Sequence, residues 1–167
     1  AGGTGLLGSE IARLGIAGGD EIYALSSDEL DITHPQQVQD TLNEMDPEIV
    51  INCGSYTAVD LAESEPTRSF GVNAEGARIL AEATDPDRFF LHISTDFVFD
   101  GTLGRPYTED DIPSPLSIYG RSKLEGEHHV GRRNGPTAIV RTAWLFGLGG
   151  PNFVSKILQI AQENGSI

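Results

Sequence analysis

Apolar positions in this chain gather into short β-rich runs separated by longer segments with helical spacing, and the two kinds of segment alternate along its length. The runs EIYAL (21–25), EIVINC (48–53), RFFLHIS (88–94) and TAIVRTAW (137–144) predict strands. SEIARLGIA (9–17), PQQVQDTLNEM (35–45), PTRSFGVNAEGARILAEA (66–83) and SIYGRSKLEGEHHV (117–130) predict helices, and FVSKILQIAQENG (153–165) a further one. Pro35 falls in the first turn of its helix, where a missing N–H is tolerated. No repeat or low-complexity stretch interrupts the order. Repeated βα units of this length predict an α/β fold, a Rossmann-like doubly wound parallel sheet forming one domain over 1–167.

The first residues sharpen that expectation. GGTGLLG spaces Gly2, Gly5 and Gly8 three apart and opens directly into a helix. Glycines permit a tight turn and close approach to a pyrophosphate, while the helix N-terminus offers amide donors and the positive end of its dipole. Such a turn also serves as an ordinary connection, so the alternating elements that follow it are what favour a dinucleotide site. It normally follows the central first strand, yet the chain begins at Ala1. The expectation is therefore a domain lacking its first strand and, at the other end, the part that shapes a substrate pocket.

Chemistry is concentrated around Tyr119 and Lys123. Four apart on a helix they share a face, so the ammonium can stabilise a phenolate and the pair can move a proton. The same spacing occurs on solvated helices with no function. About 25 residues earlier, Ser94, Thr95 and Asp96 close the predicted strand RFFLHIS. A hydroxyl there points into the crevice where doubly wound sheets bind ligands, or else caps the following loop.

Composition narrows the partners. With 167 residues and 38% hydrophobic content the chain can bury a real core, and no run of about 18 apolar residues indicates a membrane span. A net charge of −14 argues against nucleic acid, whose phosphates need clustered cations. Lys123 and Lys156 are the only lysines. An acid-rich, lysine-poor surface suits a protein kept soluble at high salt, and a halophilic source predicts stability that rises with added salt. The single cysteine, Cys53, reads as an inert buried thiol in a reducing cytoplasm.

GGTGLLG, LDIT (30–33), YTAVDLAESEP (56–66), ISTDFVFDG (93–101), SPLSIYGRSKLEGE (114–127) and RTAWLFG (141–147) together resemble the extended short-chain dehydrogenase/reductases, and within them the dTDP-4-dehydrorhamnose reductase family. The resemblance implies hydride transfer from a nicotinamide to the C4 ketone of a dTDP-linked deoxy-keto sugar. Tyr119 would be the proton donor, Lys123 would lower its pKa and hold the nicotinamide ribose, and Thr95 would bond the ketone oxygen, with Ser94 a weaker substitute. It further implies Gly2, Gly5 and Gly8 at the pyrophosphate with Leu6 and Leu7 amides, Asp31 and Ile32 near adenine, and Gly54, Ser55 and Thr57 beside ribose and nicotinamide. The family prefers Ala-Ala where this chain has Gly54 and Ser55, both still small; Tyr56 fits packing as well as contact.

Ser26 and Ser27 stand where an acid would select NAD, with Asp28 just beyond. That favours NADPH, with NADH as the alternative and no arginine nearby in sequence. Asp96 and Trp144 are the implied sugar contacts, though a lone Trp at a strand end also suits a core. Asn73 reads as support for the site or as a plain helical residue. His92 reads as a satisfied core histidine, and His128 and His129 as solvent-facing. No spacing resembles a zinc site. The resemblance admits a homodimer, with magnesium at a subunit contact whose ligands cannot be assigned. Two rivals keep the same Tyr and Lys: an NAD-retaining epimerase or dehydratase, and a non-catalytic subunit like that of methionine adenosyltransferase.

Overall fold

The computed structural model describes residues 1–147, 150 and 152–164. Helices α1 (Leu6–Gly18) and α2 (Pro35–Met45) precede strand β1 (Ile49–Asn52); two short helices, α3 (Val59–Ala62) and α4 (Pro66–Phe70), follow. A π-helical segment, Gly71–Gly76, runs into α5 (Ala77–Ala83) and then β2 (Phe89–Thr95). A 3₁₀ turn at Asp96–Val98, α6 (Ile118–Val130), β3 (Thr137–Thr142) and α7 (Phe153–Asn164) complete the order. Gly165, placed in the last helix by the sequence pattern, lies outside the described residues.

The three strands are parallel in the order β1-β2-β3, with Asn52 beside His92 and Thr95 beside Thr142. Phe90, Val50, Leu80, Ile79, Val38 and Val130 form one buried cluster, so α2, α5 and the end of α6 cover the same face of the sheet. This is the α/β arrangement expected of alternating runs: the strands are stabilised by burying an apolar side under helices.

Two strand expectations need correction. Residues 21–25 form no regular strand. Ala1–Gly3 runs between this segment and β1, with Gly3 N donating to Leu25 O at 2.8 Å and Cys53 N to Ala1 O at 3.1 Å. A strand is defined by its ladder, and among the described residues the Gly3 N bond to Leu25 O is the only rung this segment has. The last strand stops at Thr142 instead of Trp144, because Trp144 takes a left-handed φ of 51° that breaks the extended backbone.

Residues 66–83 are helical as expected but not uniformly so. The π segment widens the helix by one residue at its centre and carries Asn73, Ala74 and Gly76 into the core. Against it lies Gly126 of α6, where a Cβ would stand 2.2 Å from Asn73 O. Gly126→Ala is therefore expected to destabilise the fold by about 1–3 kcal/mol through overpacking against backbone. Denaturant unfolding checks this, and an unchanged midpoint would remove the claim of close approach.

Candidate active site

The glycine turn is pressed against the loop after β1. Gly2 has φ 69°, and a Cβ on it would lie 2.6 Å from Gly54 N; a Cβ on Gly8 would lie 2.2 Å from Gly2 O. Gly2 therefore excludes a side chain for conformation and for space, and Gly8 for space. Gly5 is the N-cap of α1, so Leu6 and Leu7 present the first-turn amides, and no acid sits among them. Those amides have no intrahelical partner, which suits an anion.

A cleft of about 560 Å³ opens beside the turn, floored by Gly2, Gly54 and Ser55 and walled by Ser27, Asp31, Ile32, Tyr56 and Arg68. Ser26 does not line it: its N–H and hydroxyl both donate to Glu29. Asp31 does, yet Thr33 N and Oγ1 occupy its Oδ1 at 2.9 and 2.7 Å, and His34 Nδ1 lies 3.0 Å from Oδ2. Partial burial raises the Asp31 carboxyl, but the Thr33 and His34 contacts outweigh it and leave the group below its ordinary value. Thr57 is exposed, past the cleft lining. Tyr56 donates to Glu65 Oε2 at 2.9 Å, and the Arg68 guanidinium stands 5.4 Å over its ring.

Asn73 ties this loop to α6. Its Oδ1 accepts from Ser55 Oγ at 2.9 Å and Tyr56 N at 2.8 Å; its Nδ2 donates to Tyr56 O at 3.1 Å and Ser122 Oγ at 3.0 Å. Only 1% exposed, it has every amide group bonded, so it is a brace rather than an idle helical polar residue.

Ser117 caps α6 by accepting from Gly120 N at 3.0 Å, and the first turn then delivers Tyr119 to the carboxyl end of β2. Tyr119 is buried, edge-on to Phe97 with ring centroids 5.6 Å apart. Burial raises its pKa; the neighbouring Thr95 and Ser55 hydroxyls pull the other way, and Asp96 adds to the rise. No direct hydrogen bond joins the phenol to either hydroxyl among the described residues: Thr95 Oγ1 donates to Asp96 Oδ1 and accepts from Phe97 N, and Ser55 Oγ donates to Asn73 Oδ1. The expected capping role of Thr95 is real, and the same residue faces Tyr119. Ser94 points elsewhere, donating to Glu127 Oε1.

Lys123 is 2% exposed, and its Nζ donates to Ile93 O at 2.7 Å rather than to the phenol. Burial lowers its pKa to about 8, with Glu127 and Cys53 opposing the fall. Glu127 itself is held by Arg141, with Nε 2.9 Å from Oε1 and Nη2 2.7 Å from Oε2. A proton-bearing phenol and a desolvated cation one turn apart, beside a hydroxyl at a strand end, can protonate an oxygen that gains charge.

Trp144 is 76% exposed in this chain and packs edge-on against Phe153. His92 is fully buried, with Nδ1 3.2 Å from Asn52 Nδ2, but its Nε2 has no partner among the described residues, which corrects the expectation of a satisfied core histidine. His128 is exposed and His129 half-buried, both beside Glu125. Among the described residues no cluster of His, Cys, Asp or Glu suits a metal.

The family model described as RmlD substrate binding domain matches residues 1–167. The chain belongs to this family. It is 43% identical to a dTDP-4-dehydrorhamnose reductase of Streptomyces griseus, over 99% of the chain and 55% of that protein. It is 40% identical to a probable dTDP-4,6-dihydroxy-2-methyloxan-3-one 4-ketoreductase of Streptomyces antibioticus, over 99% of the chain and 57% of the relative. The crystal structure of a Bacillus anthracis dTDP-4-dehydrorhamnose reductase in complex with NADP superposes with a TM-score of 0.93 at 38% identity, covering 98% of the chain and 58% of that structure. The chain thus spans about half the length of the curated relatives it matches.

In this RmlD family member Gly54 and Ser55 line the cleft, and Ser55 and Thr95 neighbour the Tyr119 phenol; Tyr119, Thr95 and Lys123 are not among the residues lining it, Ser26 is turned to Glu29 and Ser94 to Glu127. Sequence reasoning missed Arg68, which lies far from the glycine turn in the chain yet lines the same cleft. It also missed Glu127, although its place one turn after Lys123 was a legible signal.

Proposed function

We propose that this chain is the dinucleotide-binding domain of an NADPH-dependent reductase acting on the C4 ketone of dTDP-4-dehydro-L-rhamnose. The observation that carries the reading is Ser55, which lines the cleft and also neighbours the Tyr119 phenol, so cofactor space and proton donor adjoin. The cleft fits a dinucleotide: its floor at Gly2 has no room for a side chain, and α1 offers its first-turn amides beside the same turn.

NADPH supplies the hydride when bound. Tyr119 gives its proton to the oxygen at C4 as that atom gains charge, and the Lys123 ammonium stabilises the phenolate left behind. Thr95 donates its hydroxyl to the ketone oxygen, releasing Asp96, while Asp96 and Trp144 face the sugar. Gly54, Ser55 and Thr57 flank the ribose, and Asp31 and Ile32 the adenine. Ser27 and Arg68 favour the 2′-phosphate: one wall carries a hydroxyl in place of an acid, and the other a cation whose pairing to Glu65 is a long 3.4 Å. Arg68→Ala is expected to lower the NADPH-over-NADH preference in KM by about three- to tenfold, and an unchanged ratio would remove Arg68 from phosphate recognition. A cytoplasmic setting is the proposed location; among the described residues no helix is long and apolar enough to cross a membrane.

The test is NADPH oxidation by the full-length protein with dTDP-4-dehydro-L-rhamnose. Turnover yielding dTDP-L-rhamnose supports the proposal. NADPH binding without turnover would favour the non-catalytic reading, and tightly retained NAD that is not consumed would favour an epimerase.

A further inference from the structure

Asn52 and His92 lie side by side on adjacent parallel strands, both fully buried. Asn52 Oδ1 accepts from Gly54 N at 3.0 Å, and Asn52 Nδ2 stands 3.2 Å from His92 Nδ1. Gly54 N can only donate, so Asn52 must turn its oxygen toward it and its NH₂ toward the imidazole. His92 Nδ1 therefore accepts, and the ring proton belongs on Nε2. Among the described residues that nitrogen is buried without a partner. An unpartnered N–H opposes folding, and an apolar side chain would avoid that cost. The contact with Asn52 is the one polar bond of the ring among the described residues.

We infer that His92 is a positioning residue, whose Nδ1 locks the Asn52 amide in the orientation that holds the Gly54 loop against the glycine turn. A flipped Asn52 would set an NH₂ against Gly54 N, two donors facing each other. Gly54 would then lose its acceptor, and the loop would shift where it floors the cleft. No slack exists there to absorb the shift, since a Cβ on Gly2 would already stand 2.6 Å from Gly54 N. Burial, with Lys123 nearby, holds the His92 pKa down at about 3, so the ring remains a neutral acceptor. The consequence for cofactor affinity rests on the NADPH reading; the hydrogen-bond relay itself does not.

The test compares full-length wild type with His92→Leu, Asn52→Leu, the double variant and His92→Gln, whose amide oxygen can replace the Nδ1 acceptor. Each leucine variant is expected to raise the NADPH dissociation constant about three- to tenfold, with a larger effect on binding than on kcat. The double variant should be no worse than the singles, because one relay is broken once, and Gln should recover part of the loss. Faster amide exchange at Gly54 should accompany the leucine variants. Additive effects, or unchanged binding and Gly54 exchange in His92→Leu, would overturn the inference. If His92→Leu does not fold, ring ¹⁵N shifts of the wild type decide: a proton on Nε2 supports the relay and one on Nδ1 overturns it. If wild type binds no dinucleotide, the functional reading fails, while Gly54 exchange and the tautomer still judge the relay.

Discussion

Tyr119→Phe is expected to slow ketone reduction by about 10²- to 10⁴-fold, the usual worth of a positioned acid. The fold should tolerate the change. The ring would keep its edge-on contact with Phe97, and the phenol makes no direct hydrogen bond among the described residues whose loss would cost stability. Burial holds the phenol in its protonated form, which is the form that can donate. Single-turnover rates at saturating NADPH, with thermal unfolding as the control, measure the effect on chemistry alone. A variant that reduces the sugar at the wild-type rate would leave Tyr119 without a role as donor.

Lys123→Met should cost a comparable amount, about 10²- to 10³-fold, because it removes preorganised charge from a water-poor site. The pH dependence follows from the same group. Burial lowers the Lys123 pKa from the ordinary 10.5 to about 8, so the ammonium is present below pH 8 and is lost as pH rises through it. Wild-type reduction should therefore fall above about pH 8. Stability should move the other way. A folded-state pKa below the unfolded one means that burying the charged lysine opposes folding at and below about pH 8, and this penalty is relieved between about pH 8 and 10.5. Lys123→Met should lack that rise and be at least as stable as wild type near neutrality. A rate that is flat or rising across pH 8 would contradict the role given to the ammonium.

What the sequence reveals here is what is local. Helix α2 begins at Pro35 and ends at Met45 as its pattern predicts, since its start and its apolar spacing are written within it. Helix α6 is similarly legible through Ser117 and the Tyr119–Lys123 spacing. The segment at 21–25 has the pattern of a strand, but a strand exists only through its ladder, and among the described residues its one rung is Gly3 N to Leu25 O. The π segment leaves no mark in apolar periodicity, because one widened turn shifts the later residues without altering their spacing. Asn73, Arg68 and Asn52 escaped a full reading for a related reason. Each acts through partners remote in the chain: Ser122, the Ser27 wall of the cleft, and His92.

In the proposed reaction a hydride from NADPH and a proton from Tyr119 are delivered to the C4 carbonyl of a dTDP-linked keto sugar, the hydride to carbon and the proton to oxygen. The most direct measurement supplies the full-length protein with dTDP-4-dehydro-L-rhamnose and NADPH deuterated at its transferable position, and reads the isolated sugar by NMR. The expected product is dTDP-L-rhamnose carrying deuterium at C4, formed in step with NADPH consumption and at a rate cut by about 10²-fold or more in Tyr119→Phe. Sugar without deuterium at C4, or altered at another carbon while NADPH is left unused, would contradict that reaction.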